Sequence, residues 1–253
     1  MIPSLNDLLI VPLSRLTLHE AHDGKRLELL AGRIRDEAVQ RNPVIISPQG
    51  DGFLVLDGAH RVQALKNIEC EFVLAQEIEP PERAESWGHI LSLADRSKLY
   101  EIEGVSITDG NANEWLAGIE FADGEKLVAQ AAGTGLAGDI EGLWSLQKLY
   151  PDGGMVHRVD PGARAELEES EAVIRYRPFS PDELAGVVSC GGVLPAGITR
   201  FRARERVLEV RFPLAKLMSG ELAERNADLR THVDKRWREN RVRYYSEPVV
   251  LFE

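Results

Sequence analysis

Along residues 25–41, "KRLELLAGRIRDEAVQR", apolar side chains recur at Leu27, Leu30, Ile34 and Val39, close to one face of a helix. Asn42-Pro43 then stops that helix, because the residue before a proline avoids helical backbone. The pattern changes to the short apolar runs "VIIS" and, past the turn "PQGDG", "FLVLDG", which predict two strands. A helix is predicted from about Ala59 through "HRVQALKNI", and a further strand near "CEFVLAQEI". Upstream, "LLIVPLSRLTLHEA" starts apolar, turns at Pro12 and alternates at Leu16 and Leu18, as a strand entering a site would. Residues 1–80 therefore predict a compact alternating α/β unit.

Pro80-Pro81 sets the predicted boundary, since consecutive prolines extend neither helix nor sheet ladder, and a second module is assigned to 81–253. Within it "AESWGHILSLADRSKL" reads as helical, "WLAGIEFADGEKLVAQAAG" as a hairpin turning at Asp123-Gly124, and 142–150 as a short helix. Frequent glycine and proline over 133–162 predict long loops, with one arm over a ligand cleft. Ser180 is placed to cap a helix entered through Pro181 and ended at Gly191-Gly192. Beyond it come a strand-like "RVLEVRFPL", a helix over roughly 221–238, and terminal strands "VRYYS" and "PVVLF". The expected fold class is mixed α/β, two modules forming a cleft.

Composition narrows this picture. A chain of 253 residues, 43% hydrophobic, builds a core without disulfides or metal. Cys70 and Cys190 stand alone in apolar surroundings and read as core thiols. No apolar run reaches the ~18 residues needed to span a bilayer, and Asp7 precedes the first basic residue, Arg15, so a cytoplasmic location without membrane partners is expected. The net charge of -11 argues against broad binding to nucleic acid. It is uneven: residues 81–199 carry -11 and residues 200–253 carry +4, so the basic tail is expected to pair with the acidic middle.

The densest chemistry lies in "FLVLDGAHRVQALK". Asp57-Gly58 ends a strand, and Ala59, His60 and Arg61 open a helix whose unpaired backbone N–H groups can receive a phosphate. Arg61 can add a bidentate clamp, His60 can donate to phosphate or carry a proton, and Asp57 can hold magnesium, orient a hydroxyl or accept its proton. The same residues also suit a capped helix with a surface ion pair. The position of the motif at the carboxyl end of a strand, where α/β proteins gather ligands, favours the functional reading.

With "VPLSRLTLHEA", "RNPVIIS", "VLDGAHRVQALK", "YRPFSPDELAGVV", "LPAGITRF" and "YYSEPVVLFE", nearly the whole chain resembles the free L-serine kinases of the ParB/sulfiredoxin-like superfamily. It departs from sulfiredoxins, where a cysteine stands at the position of Ala59, and from chromosome-partitioning ParB proteins, which carry a helix-turn-helix module. The resemblance implies a kinase that makes O-phospho-L-serine, as in siderophore-precursor synthesis, with Mg2+ and with ATP, or alternatively ADP, as donor. It implies that Glu20 is the base acting on serine and that Gly58, Ala59, His60 and Arg61 cradle the nucleotide with Arg41 beside them. Asp57 would hold the metal, His19 or His22 would contact nucleotide or serine, and Thr199 and Arg200 would hold serine's carboxylate or the transferred phosphate. Partners are then free L-serine and nucleotide, with DNA not expected. A ParB-like nucleotide-sensing transcriptional or DNA-associated regulator is the alternative. The four tryptophans, Trp87, Trp115, Trp144 and Trp237, are too dispersed for an aromatic nucleic-acid ladder and are expected to pack module surfaces.

Overall fold

A computed structural model describes residues 5–22, 24–79, 82, 84–109, 115–150 and 156–247. The first part of the chain builds β1 (Leu8–Pro12), β2 (Leu16–Leu18), α1 (Gly24–Glu37), β3 (Val39–Gln40), β4 (Val44–Gln49), β5 (Gly52–Asp57), α2 (Ala59–Asn67) and β6 (Phe72–Glu77). Five of these strands form one sheet in the order β1-β6-β4-β5-β2. Period-two alternation gives its two faces different partners. Val44, Ile46 and Val55 pack with Leu27, Ala31 and Ile34 of α1 and Val62 and Leu65 of α2. Their neighbours Ile45, Leu54 and Leu56 face the opposite way, into the core of the second module.

That module adds β7 (Glu85–Ser86), β8 (Gly88–Ser92), β9 (Val105–Asp109), β10 (Ala117–Phe121), β11 (Lys126–Ala131), α3 (Gly135–Leu146), β12 (His157–Val159), β13 (Glu171–Tyr176), α4 (Pro181–Ser189) and β14 (Thr199–Arg200). Its sheet runs β12-β8-β13-β10-β11-β9, and Leu143, Leu146, Leu184 and Val187 bring α3 and α4 into its core. The hairpin turns at Gly124 (φ 89°) as expected. The Ser180 capping box with Glu183 opens α4. The segment read as a helix, "AESWGHILSL", is instead β7 and β8: pairing with β13, β12 and β14 decides it, which local periodicity does not record. The short helix assigned to 142–150 begins earlier, at Gly135.

The end of the chain does not stay with the second module. After β14 it returns to the first, where β15 (Phe212–Pro213) pairs with β3 and α5 (Leu222–Arg238) packs beside β1. Val210, Phe212, Leu214, Leu217 and Leu229 belong to the first hydrophobic core. A single cut at 80/81 therefore does not divide the packing, although Pro80 and Pro81 themselves lie outside the described residues. The strand expected over "RVLEVRFPL" shrinks to two residues because Glu209 and Arg211 adopt left-handed φ of 54° and 53°. "VRYYS" forms no strand, and "PVVLF" falls outside the described residues. Of the two thiols expected in the core, Cys70 is buried, which pushes its pKa up to about 11, while Cys190 is exposed after α4. No described helix is long and apolar enough to cross a membrane.

Candidate active site

Asp57 ends β5, and Gly58 (φ 107°) turns the chain into α2, so Ala59, His60 and Arg61 stand in the first helical turn as the sequence requires. A Cβ at Gly58 would lie 2.8 Å from Cγ1 of Val44 and 3.1 Å from the Arg61 guanidinium, so only glycine fits the turn in both backbone and space. We expect Gly58→Ala to lower stability by about 1–3 kcal/mol through displacement of the α2 N terminus. Urea unfolding would check this effect.

The Asp57 carboxylate is held between two arginines, Nη1 of Arg206 at 2.5 Å and Nη2 of Arg61 at 3.6 Å. Burial drives its pKa up, but Arg61, Arg206 and more distant Arg158 outweigh burial and hold it below the usual carboxylate value. Arg61 is folded inward: its Nη1 donates to the Pro43 carbonyl at 2.5 Å and to that of Asn42 at 3.2 Å. It thereby ties the start of α2 to the start of β4. Arg41 pairs with Glu37 and lies 3.9 Å from Glu209.

Glu20 follows β2, and the chain there bridges in parallel to Leu194, with Ala21 N–H donating to the Leu194 carbonyl and Leu194 N–H to that of His19. The turn 195–199 of the second module then closes over the side chain. Oε1 of Glu20 accepts from Thr199 N–H and from Thr199 Oγ1, both at 2.6 Å, and Oε2 accepts from Gly197 N–H at 3.0 Å. A carboxylate offers about four lone-pair sites, so these three donors fix it while leaving capacity on Oε2. Because the Thr199 hydroxyl donates to Glu20, its oxygen accepts from Nε2–H of His19 at 2.8 Å. Burial lowers the His19 pKa and so favours the neutral ring, partly opposed by Glu20 and by the Val55 backbone.

His19 and Thr199, expected to contact ligand, are thus buried supports of Glu20, at 3% and 7% exposure. Arg200 stacks on Trp87 with its Cζ 4.4 Å from the ring centroid, and it pairs with Asp160 at 2.9 Å and Glu85 at 3.8 Å. Arg200, expected at serine's carboxylate or the transferred phosphate, thus faces acidic groups of the second module, while its buried Nη1 makes no hydrogen bond. His22 is exposed.

Sequence reasoning missed Arg158 and Arg206. Arg158, on β12, lies against Gly197 and within electrostatic reach of both Glu20 and Asp57, without an ion pair to either. It borders an open groove of about 570 Å³ walled by His157, Val159, Asp160 and Arg164. The glycine- and proline-rich stretch anticipated as an arm over a cleft was the available signal for Arg158. Arg206 had none, because its role depends on the return of the chain after β14.

No family model matches the chain. The ATP-dependent L-serine kinase SbnI of Staphylococcus aureus (strain NCTC 8325 / PS 47) is 26% identical, with 97% of each chain covered. The solved structure of SbnI with a C-terminal truncation, from Staphylococcus aureus, matches with a TM-score of 0.79 at 23% identity, covering 94% of this chain and all of that one. A free serine kinase in complex with AMP matches with a TM-score of 0.63 at 16% identity, over 83% of this chain and 93% of its own. The mixed α/β fold in two modules is shared with both structures.

Proposed function

We propose, from the likeness to the L-serine kinase SbnI over nearly the whole chain and the fold shared with a free serine kinase, that this protein is a free serine kinase of the ParB/sulfiredoxin-like superfamily and phosphorylates the hydroxyl of free L-serine to O-phospho-L-serine. The supporting observation is the arrangement of Glu20: three donors from one turn orient it, and Oε2 keeps accepting capacity.

In this reading the nucleotide phosphates lie at the N terminus of α2, where the backbone N–H groups after Gly58 point outward and the helix dipole favours negative charge. His60, in that first turn, orients a phosphate oxygen. Glu20 accepts the serine hydroxyl proton as that oxygen attacks the terminal phosphoryl group, and the bond to the leaving nucleotide phosphate breaks. Arg158 and Arg206 offset charge on the phosphates. ATP is the proposed donor.

The described residues contain no cluster of three metal-ligating side chains. Mg2+ is commonly held by one or two carboxylates together with phosphate oxygens and water, and Asp57, whose carboxylate pairs with Arg206, would be such a single protein ligand. Bound there, the ion would supply charge compensation on the phosphates.

The test is incubation of the purified protein with L-serine and Mg2+ and, separately, ATP or ADP, with O-phosphoserine and the nucleotide products followed by mass spectrometry. O-phosphoserine with release of ADP from ATP is expected. Absence of O-phosphoserine with either donor would refute the reading.

A further inference from the structure

Behind the turn that grips Glu20 lies a buried polar chain. His89 of β8, 3% exposed, has Nε2 2.9 Å from the Gly197 carbonyl and Nδ1 2.8 Å from the Tyr150 hydroxyl. The Tyr150 hydroxyl is hydrogen-bonded to that of Tyr176, also 3% exposed, and Nε2 of Gln147 donates to the Tyr176 oxygen at 3.2 Å.

The chemistry of these groups permits one direction. A carbonyl only accepts, so Nε2 of His89 carries the proton and donates to Gly197. Nδ1 must then accept, which makes Tyr150 its donor, and Tyr150 in turn accepts from Tyr176, whose oxygen is served by Gln147. Burial, and secondarily Arg158, pushes the His89 pKa down to about 4, against a smaller opposing effect of the Gly197 bond, and the ring is neutral at physiological pH. Burial raises the pKa of both tyrosines, so both keep the protons that the chain requires.

Gly197 joins this chain to the site: its carbonyl accepts from His89 Nε2–H while its N–H donates to Oε2 of Glu20, the oxygen with capacity left for substrate. Its left-handed φ of 78° lets the two peptide groups flanking its Cα face opposite ways, toward His89 on one side and Glu20 on the other. We propose that His89 is a positioning residue for Glu20, acting through Gly197 and oriented by Tyr150 and Tyr176. This inference rests on the reading of Glu20 as the base.

The test combines nitrogen-15 NMR of the imidazole in the whole wild-type chain with kinetics of His89→Phe and His89→Gln, where glutamine keeps a donor toward Gly197. The expected results are an Nε2–H tautomer, a kcat for serine phosphorylation about 10- to 100-fold lower in His89→Phe with nucleotide affinity unchanged, and recovery of most of that loss in His89→Gln. An Nδ1–H tautomer, an unchanged kcat in His89→Phe, or equal loss in both variants would overturn the proposal. If the wild type forms no phosphoserine, the kinase reading falls alone. The Gly197 and Thr199 amide signals then decide the positioning role: a shift in His89→Phe that His89→Gln largely reverses supports it, and unmoved signals overturn it.

Discussion

Replacing Glu20 with glutamine is expected to lower kcat for serine phosphorylation by about 10²- to 10⁴-fold, the range associated with loss of a general base. Nucleotide affinity should change little, because the proposed phosphate site is built from Gly58 and the start of α2 on a different turn. The substitution is not electrostatically silent within the fold. Glu20 uses both oxygens as acceptors, from Thr199 on one side and Gly197 on the other, and an amide group can offer an oxygen to only one of them. One backbone N–H then faces an NH₂ group, so stability should also fall by about 1–3 kcal/mol. Glu20→Asp separates the two effects: it keeps the charge but withdraws the carboxylate by one methylene from Thr199 and Gly197. Steady-state kinetics, calorimetric titration with nucleotide and urea unfolding on both variants make the comparison. A Glu20→Gln enzyme within threefold of wild-type kcat would exclude the base assignment.

The part of the site that was legible in the sequence is the part made by consecutive residues. An apolar strand, Asp57-Gly58 and an apolar-periodic helix specify a strand-to-helix turn, and the structure has that turn with glycine in a conformation other residues rarely adopt. Glu20 was singled out only through the family resemblance, since a glutamate after a short strand carries no pattern of its own. Its partners were assigned differently from how they are used: His19 and Thr199 face inward, 180 positions apart in the chain, and a bond of that separation leaves no trace in local periodicity. Arg200 met the same difficulty, because stacking on Trp87 and pairing with Asp160 depend on β14 lying beside β7. The basic tail was expected to pair with the acidic middle. Arg200 and Arg202 do so through Glu85 and Asp160, but Arg225, Lys216 and Lys235 pair with acids of the tail itself. Helix α5 was legible from its period, whereas its destination was not.

That destination carries the second large effect. Phe212→Ala should destabilise the protein by about 3–5 kcal/mol, the usual cost of removing a fully buried phenyl ring from a core. Phe212 is 1% exposed, sits edge-on to His232 of α5 with ring centroids 5.6 Å apart, and belongs to the core of the first module. The returning segment is also bonded in: Leu214 N–H donates to Ala38, the Asn226 amide clamps both backbone groups of Ile10 on edge strand β1, and Gln76 holds Val207 and Glu205. Collapse of the Phe212 contact therefore loosens the anchor that brings Arg206 to Asp57, and nucleotide affinity should weaken along with stability. Trp237, on α5, supplies a fluorescence signal for urea unfolding. Tyr244→Ala is the control, because that ring is 57% exposed and its loss should cost at most about 0.5 kcal/mol. A loss below about 1 kcal/mol for Phe212→Ala would mean that residues after β14 only rest on the first module. The predicted loss would instead show that the first module is discontinuous in sequence, with its last structural elements supplied from beyond residue 205 and its proposed phosphate site dependent on them.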